Sequence, residues 1–159
     1  SFDSTNFLIS KGLKNIAFIG TEKDSMNAWG DRYTGYESAM KDAKLNIDSD
    51  LVYLNSIKIK TGYEGVISFI KSGKKFDGMG AINALRDNWL EVPKDVSVVG
   101  FNDNFAASIF YPKITTISQP TYDMGSVAMR ILIKMLSQKP LEESQYVLEH
   151  QLIERDSTI

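Results

Sequence analysis

The sequence predicts an α/β domain built on a largely parallel sheet flanked by helices, and three observations predict it. Runs of strand length, "KNIAFIG", "LVYL" and "DVSVVGF", alternate with stretches whose apolar residues recur at helical spacing. The first of these runs is apolar at four consecutive residues, Ile16 to Ile19, rather than at every second one, as expected of a strand covered on both faces. The chain is also long enough to bury a core, with 159 residues of which 43% are hydrophobic and 24% charged.

Each element follows in order. Asp3 or Ser4 is placed to cap a short helix running through Ser10, with Gly12 as its C-terminal stop. "KNIAFIG" is a buried strand, apolar at Ile16, Ala17, Phe18 and Ile19. Trp29, Tyr33, Tyr36 and Met40 then fall at steps of four, three and four, one face of a helix. "LVYL" is a second strand, and Tyr63, Val66, Ile67 and Ile70 stripe a helix that ends at Gly73. "FDG" opens a third strand, which "INALRDN" either continues or follows as a third helix. "DVSVVGF" is a fourth strand, turning through "NDN", and "ITTIS" a fifth. Met124, Val127, Ala128, Ile131, Met135 and Leu136 give one apolar face of a long helix stopped by Pro140, and "YVLEHQLIER" closes the chain as a last strand.

The third unit is short of chain. A strand averages ~5–6 residues and its loop to the next helix ~2–6 more, yet only Phe76, Asp77 and Gly78 precede the helix-like "MGAINALRDN". Either "FDGMGAI" is all strand with a helix of two turns behind it, or residues are missing between Gly78 and Met79.

Composition removes several functions. A net charge of −2 gives this chain no electrostatic reason to hold nucleic acid. With no cysteine there is no disulfide, no thiolate nucleophile and no zinc-thiolate site. No apolar run approaches the ~18 residues that a membrane span requires. His150, the one histidine, lies in an alternating strand pattern with no serine placed beside it, so a catalytic triad has no base. "SGKKFDG" lacks the spacing of a phosphate loop, and the acids of "DSMNAWGD" and "NDN" lack metal-ligand spacing. The expectation is no catalytic residue, no metal and no cofactor.

At "VPKDVSVVGFND" the chain resembles the LacI/GalR family of bacterial transcription regulators, specifically their effector-binding and dimerisation domain. "YPKITTISQP", "YDMGSVA" and "LIERDST" continue the resemblance downstream, and "LISKGLKNIAFIG" and "DRYTGYESAM" precede it, all in the family's order. The resemblance implies a type I periplasmic-binding-protein-like lobe, Rossmann- or flavodoxin-like in layering. It implies that residues 1–159 are mostly the C-terminal lobe plus crossover elements, with the DNA-binding headpiece and most of the N-terminal lobe beyond this chain. It also implies about ten residues fewer than usual at Gly78–Met79, the bond already singled out by the shortage of strand.

What the resemblance implies for function is a cytoplasmic homodimer that senses a small effector, a sugar or related metabolite. Operator DNA would be bound through the headpiece, not through this chain, and no membrane is involved. An exported sugar-binding protein of a transporter, with the same fold, is the alternative. An unrelated dinucleotide enzyme would need a glycine-rich first turn, and "IGTEKDS" has one glycine.

Within that frame, Arg32 of the "RxxGY" match is either a solvated helix residue or a guanidinium fork directed into the cleft. Asn102 and Asp103 follow a buried strand directly, where ligands of open α/β sheets bind, although "ND" is also a turn former. The family commonly has Asp where Asn102 stands; Asn keeps an acceptor and adds donors. Gln119 either lines the cleft or satisfies backbone groups of the crossover. Ile109, Phe110 and Tyr111, with Pro112, are either core or dimer interface.

Overall fold

The computed structural model describes residues 1–21, 28–55, 59–76, 82–141, 143 and 145–159, without the side chains of 28, 29 and 59. The chain opens on α1 (Phe2–Ser10), and Gly12 closes its last turn at φ +87°, a left-handed conformation that glycine adopts without a Cβ clash. The helix begins before Asp3, so neither Asp3 nor Ser4 caps it; Ser4 Oγ donates to the Ser1 carbonyl at 2.8 Å instead. Then come β1 (Phe18–Gly20), α2 (Ala28–Asp42) and a 3-10 turn at Ser49–Leu51, which the Asp48 carboxylate caps from the Asp50 amide. Next are β2 (Val52–Leu54), α3 (Ile59–Ser72), α4 (Ile82–Asp87), β3 (Val99–Phe101), α5 (Phe105–Ile109), β4 (Thr115–Ser118), α6 (Thr121–Leu136) and β5 (Gln151–Ile153).

The pairing is mostly parallel, as expected. β1 runs beside β2 with Ile19 opposite Tyr53, and β3 beside β4 with Gly100 opposite Thr116. β5 is the antiparallel edge on β4, with Leu152 opposite Ile117. It is far shorter than "YVLEHQLIER" suggested, and His150 stands outside it. The expected break between Gly78 and Met79 lies outside the described residues, as do Asp77 and Gly78 of the expected third strand.

Two apolar clusters hold the layers together. Val66 and Phe69 of α3 pack with Phe76, Leu85 and Val98, all buried, and the Phe69 and Phe76 rings meet edge-on at 5.8 Å. Leu8, Ile16, Tyr36 and Met40 form the second cluster under α1 and α2. Each such side chain contributes roughly 1.5–3 kcal/mol on leaving water. The Tyr36 hydroxyl donates to the Ile16 carbonyl at 2.8 Å, and burial pushes its pKa well above the ordinary tyrosine value.

The α3 stripe holds at Val66, which is buried, and at Ile70, which packs against the core. Tyr63, however, is 43% exposed, while Gly65 and Phe69 face inward. The reason is steric: a Cβ at Gly65 would lie 2.7 Å from Ile19 Cδ1, so the helix turns its glycine to the sheet to approach that closely. The α6 face departs further. Val127 and Ile131 are half-buried, but Met124, Met135 and Leu136 are exposed, and no residue of the helix is fully buried.

Gly35, in the "RYTGY" stretch, sets the contact between α1 and α2. A Cβ there would sit 2.9 Å from the Phe2 backbone nitrogen, a neighbour that cannot rotate away. Gly35→Ala is therefore expected to destabilise the fold by about 1–3 kcal/mol, the usual range for overpacking, despite alanine's better helix propensity. Urea unfolding measures it, and a stabilised alanine variant would contradict the close approach.

Candidate functional site

The site grows from the carboxyl end of β3. Asn102 and Asp103 both take positive φ, +73° and +45°, so the chain turns sharply as it leaves the strand. Asn and Asp tolerate this region better than other non-glycine residues. Asn104 then caps α5, its side chain accepting from the Ala107 amide at 3.3 Å. "NDN" thus encodes two left-handed residues followed by a helix cap.

Asp103 is tied into the fold rather than offered to a cleft. Its amide donates to Thr116 Oγ1 at 3.3 Å, and its carboxylate lies 2.7 Å from Arg155 Nη1. That nitrogen directs its hydrogen bond at the Ile114 carbonyl, 2.8 Å away, so the contact with Asp103 Oδ1 is an ion pair without hydrogen-bond alignment. Both side chains are largely shielded from solvent, where such a pair is costly to break from one side.

Arg32 and Asn102, by contrast, come together. The Arg32 guanidinium lies over the Phe101 ring, 4.0 Å from its centroid, which fixes the plane of the fork by a cation–π contact. Its Nη2 donates to Asn102 Oδ1 at 3.4 Å, a long bond and correspondingly weak. Partial burial strips hydration from the guanidinium and moves its pKa down from the ordinary arginine value. The chemistry offered is a planar donor fork beside an amide that both donates and accepts. Arg32 and Phe101 border a cavity of about 220 Å³ that also reaches Thr21, at the end of β1.

Gln119, just past β4, is not in this group. It lines a larger cavity of about 700 Å³, together with Asp31, Phe101, Val127 and Ile131. Phe101 borders both spaces. His150 is half-exposed, with Nε2 2.7 Å from Asp3 Oδ2, a surface pair. Ile109, Phe110 and Tyr111, following α5, are 63%, 43% and 92% exposed, so this patch is not core of this chain.

Sequence reasoning missed the group that braces the site. Ser157 is fully buried; its Oγ donates to the Val98 carbonyl at 2.6 Å and accepts from the Thr115 amide at 2.8 Å. Thr115 Oγ1 in turn accepts from the Arg155 amide at 2.9 Å. "LIERDST" therefore fastens the chain end across β3 and β4, and its hydroxyls and arginine just past a strand were the available signal. Among the described residues no cluster of acids, histidines or cysteines could hold a metal ion, and no helix is long and apolar enough to cross a membrane.

The comparisons with known proteins agree with this architecture. The family model for the periplasmic binding protein-like domain matches residues 5–158. The chain is 70% identical to the HTH-type transcriptional regulator RegA of Clostridium saccharobutylicum over 168 aligned positions, covering 100% of this chain and 51% of that protein. Among solved structures, the transcriptional regulator CelR–cellobiose complex superposes with a TM-score of 0.89 at 29% identity, over 96% of this chain and 49% of that one. The transcription regulator CcpA of Lactococcus lactis superposes at 0.86 with 30% identity, over 99% of this chain and 60% of that one. The chain spans about half the length of the curated relatives it matches. It belongs to the periplasmic binding protein-like domain family, in the form found in LacI-type transcription regulators.

Proposed function

We propose that this chain is the effector-sensing and dimerisation module of a LacI-type transcription regulator working in the cytoplasm. The observation that carries the reading is the pairing of Arg32 with Asn102 at the carboxyl end of β3, held over Phe101. A ligand oxygen that replaces the long Arg32–Asn102 bond gains a charge-assisted donor and frees an amide oxygen to accept a hydroxyl. A sugar or related hydroxylated metabolite meets both demands. Gln119 borders the adjoining space with Phe101 and reaches the same ligand from the other side; Asp103 acts on the site through the turn it anchors. The effector acts by binding one arrangement of the protein better than another, and the bias passes to a DNA-binding domain outside this chain. No reaction is catalysed.

The exported binding protein with the same fold is the weaker reading, because the matching relatives are named as transcription regulators. Residues absent between Gly78 and Met79 remain part of our reading, supported by an alignment to the RegA relative that is longer than this chain, 168 positions against 159.

Calorimetric titration of the full-length protein with D-glucose, D-galactose, D-xylose and cellobiose tests the effector reading. Saturable binding of at least one is expected, and no binding by any counts against a sugar. The dimer rests on the exposed Ile109–Tyr111 patch, continued by Phe105 at 78% exposure. Ile109→Asp with Tyr111→Asp is expected to convert dimer to monomer in sedimentation velocity. An unchanged dimer would place the interface elsewhere.

A further inference from the structure

α4 closes with the hydrogen-bond pattern of a glycine stop, yet a tryptophan holds the glycine's place. The Leu90 amide donates to the Leu85 carbonyl at 3.0 Å and the Trp89 amide to the Arg86 carbonyl at 3.1 Å. Leu85 and Leu90 pack in the same apolar cluster, as that motif requires. Trp89 therefore takes φ +62°, where a Cβ is strained, and its side chain is 93% exposed. Lys44 and Gln138 follow α2 and α6 at positive φ too, but water solvates their side chains. Among the described residues of positive φ, Trp89 is the one large apolar side chain. Glycine would remove both the strain and the exposed ring.

We propose that Trp89 anchors the contact between two copies of this chain, beside the Ile109–Tyr111 patch. The inference rests on the dimer reading above and adds a second loop to its surface. Topology brings the two loops together. Trp89 and the residues after it lead into the amino end of β3, and Phe110 to Ile114 lead into the amino end of β4. Those strands are parallel neighbours, ~4.8 Å apart. Asn102 and Gln119 follow the carboxyl ends of the same strands, so the effector site stays clear of this surface. A buried aromatic side chain covers ~150–250 Å². Trp89 and Tyr111 together thus supply roughly 300–500 Å² of the ~800 Å² that each partner of a standard interface buries. Across a two-fold axis each copy presents the same surface, and tryptophan and tyrosine are the side chains on which such contacts concentrate their energy.

Trp89→Gly tests this in the full-length protein, because it relieves the backbone while removing the indole. Sedimentation velocity over a dilution series is expected to show the dimer weakened by about tenfold or more. Urea unfolding at concentrations where native and variant proteins are both monomeric is expected to show the glycine variant at least as stable as the native one. Native-like association in Trp89→Gly overturns the proposal. So does a glycine monomer that unfolds at lower urea, since the indole would then be covered within its own chain. If Trp89→Gly dimerises normally while Ile109→Asp with Tyr111→Asp does not, the dimer reading stands and this inference alone falls. If neither change affects the dimer, or the native protein is a monomer throughout, both fall.

Discussion

Arg32→Ala in the full-length protein is expected to weaken effector binding by about 1.5–3 kcal/mol, roughly ten- to hundred-fold. The size follows from what the guanidinium loses. It is already partly desolvated and already oriented by the Phe101 ring, so little entropy is spent when a ligand arrives. Alanine removes the donor fork and with it the bond to Asn102 Oδ1. Arg32→Lys recovers charge but not the planar fork, and is expected to recover only part of the affinity. Calorimetry reads both variants, and native affinity in the alanine variant would make Arg32 a solvated helix residue after all.

The largest expected effect on stability is at Ser157. Its hydroxyl lies between the Val98 carbonyl on one side and the Thr115 amide on the other, and the Ser157 carbonyl accepts from the Val98 amide at 2.7 Å. Ser157→Ala keeps the backbone bond but leaves the Thr115 amide unpaired inside the protein. That alone costs about 1–3 kcal/mol, a large part of a typical domain's margin. Since β3 and β4 lead into the proposed effector site, the variant is also expected to bind ligand less well than its residual folded fraction allows. Urea unfolding checks the first effect; a midpoint equal to the native one would mean that water replaces the hydroxyl.

Helices were legible wherever one apolar face meets the chain's own core. Tyr36 and Met40 were placed correctly because α2 has a single buried stripe, and Gly12 and Gly73 marked helix ends because positive φ leaves few alternatives. Tyr63 misled because a close approach through Gly65, not side-chain size, decides which way α3 faces. The α6 face was read correctly as apolar, yet it is mostly exposed, since periodicity says which residues want cover and not whether this chain supplies it.

At the site, the sequence alone left Arg32 a solvated helix residue and "ND" a turn. It was the "RxxGY" and "GFND" resemblance that set the two side by side, where the structure has them in contact. The ion pair of Asp103 was not foreseeable, because its partner Arg155 lies fifty-two positions away and long-range ion pairs leave no local pattern. Phe101 reads as core in the strand "DVSVVGF"; only the geometry reveals it as the platform under the arginine.

The central claim is that ligand binding at this domain changes affinity for DNA. Its most direct test is fluorescence anisotropy of the full-length protein on a DNA fragment from its own promoter, at fixed salt, with and without a saturating concentration of the sugar that binds best. Effector coupling is typically 1–3 kcal/mol, so the account predicts a change in DNA affinity of about 5- to 150-fold, abolished in Arg32→Ala at the same sugar concentration. Specific DNA binding that is identical with and without bound sugar would contradict it.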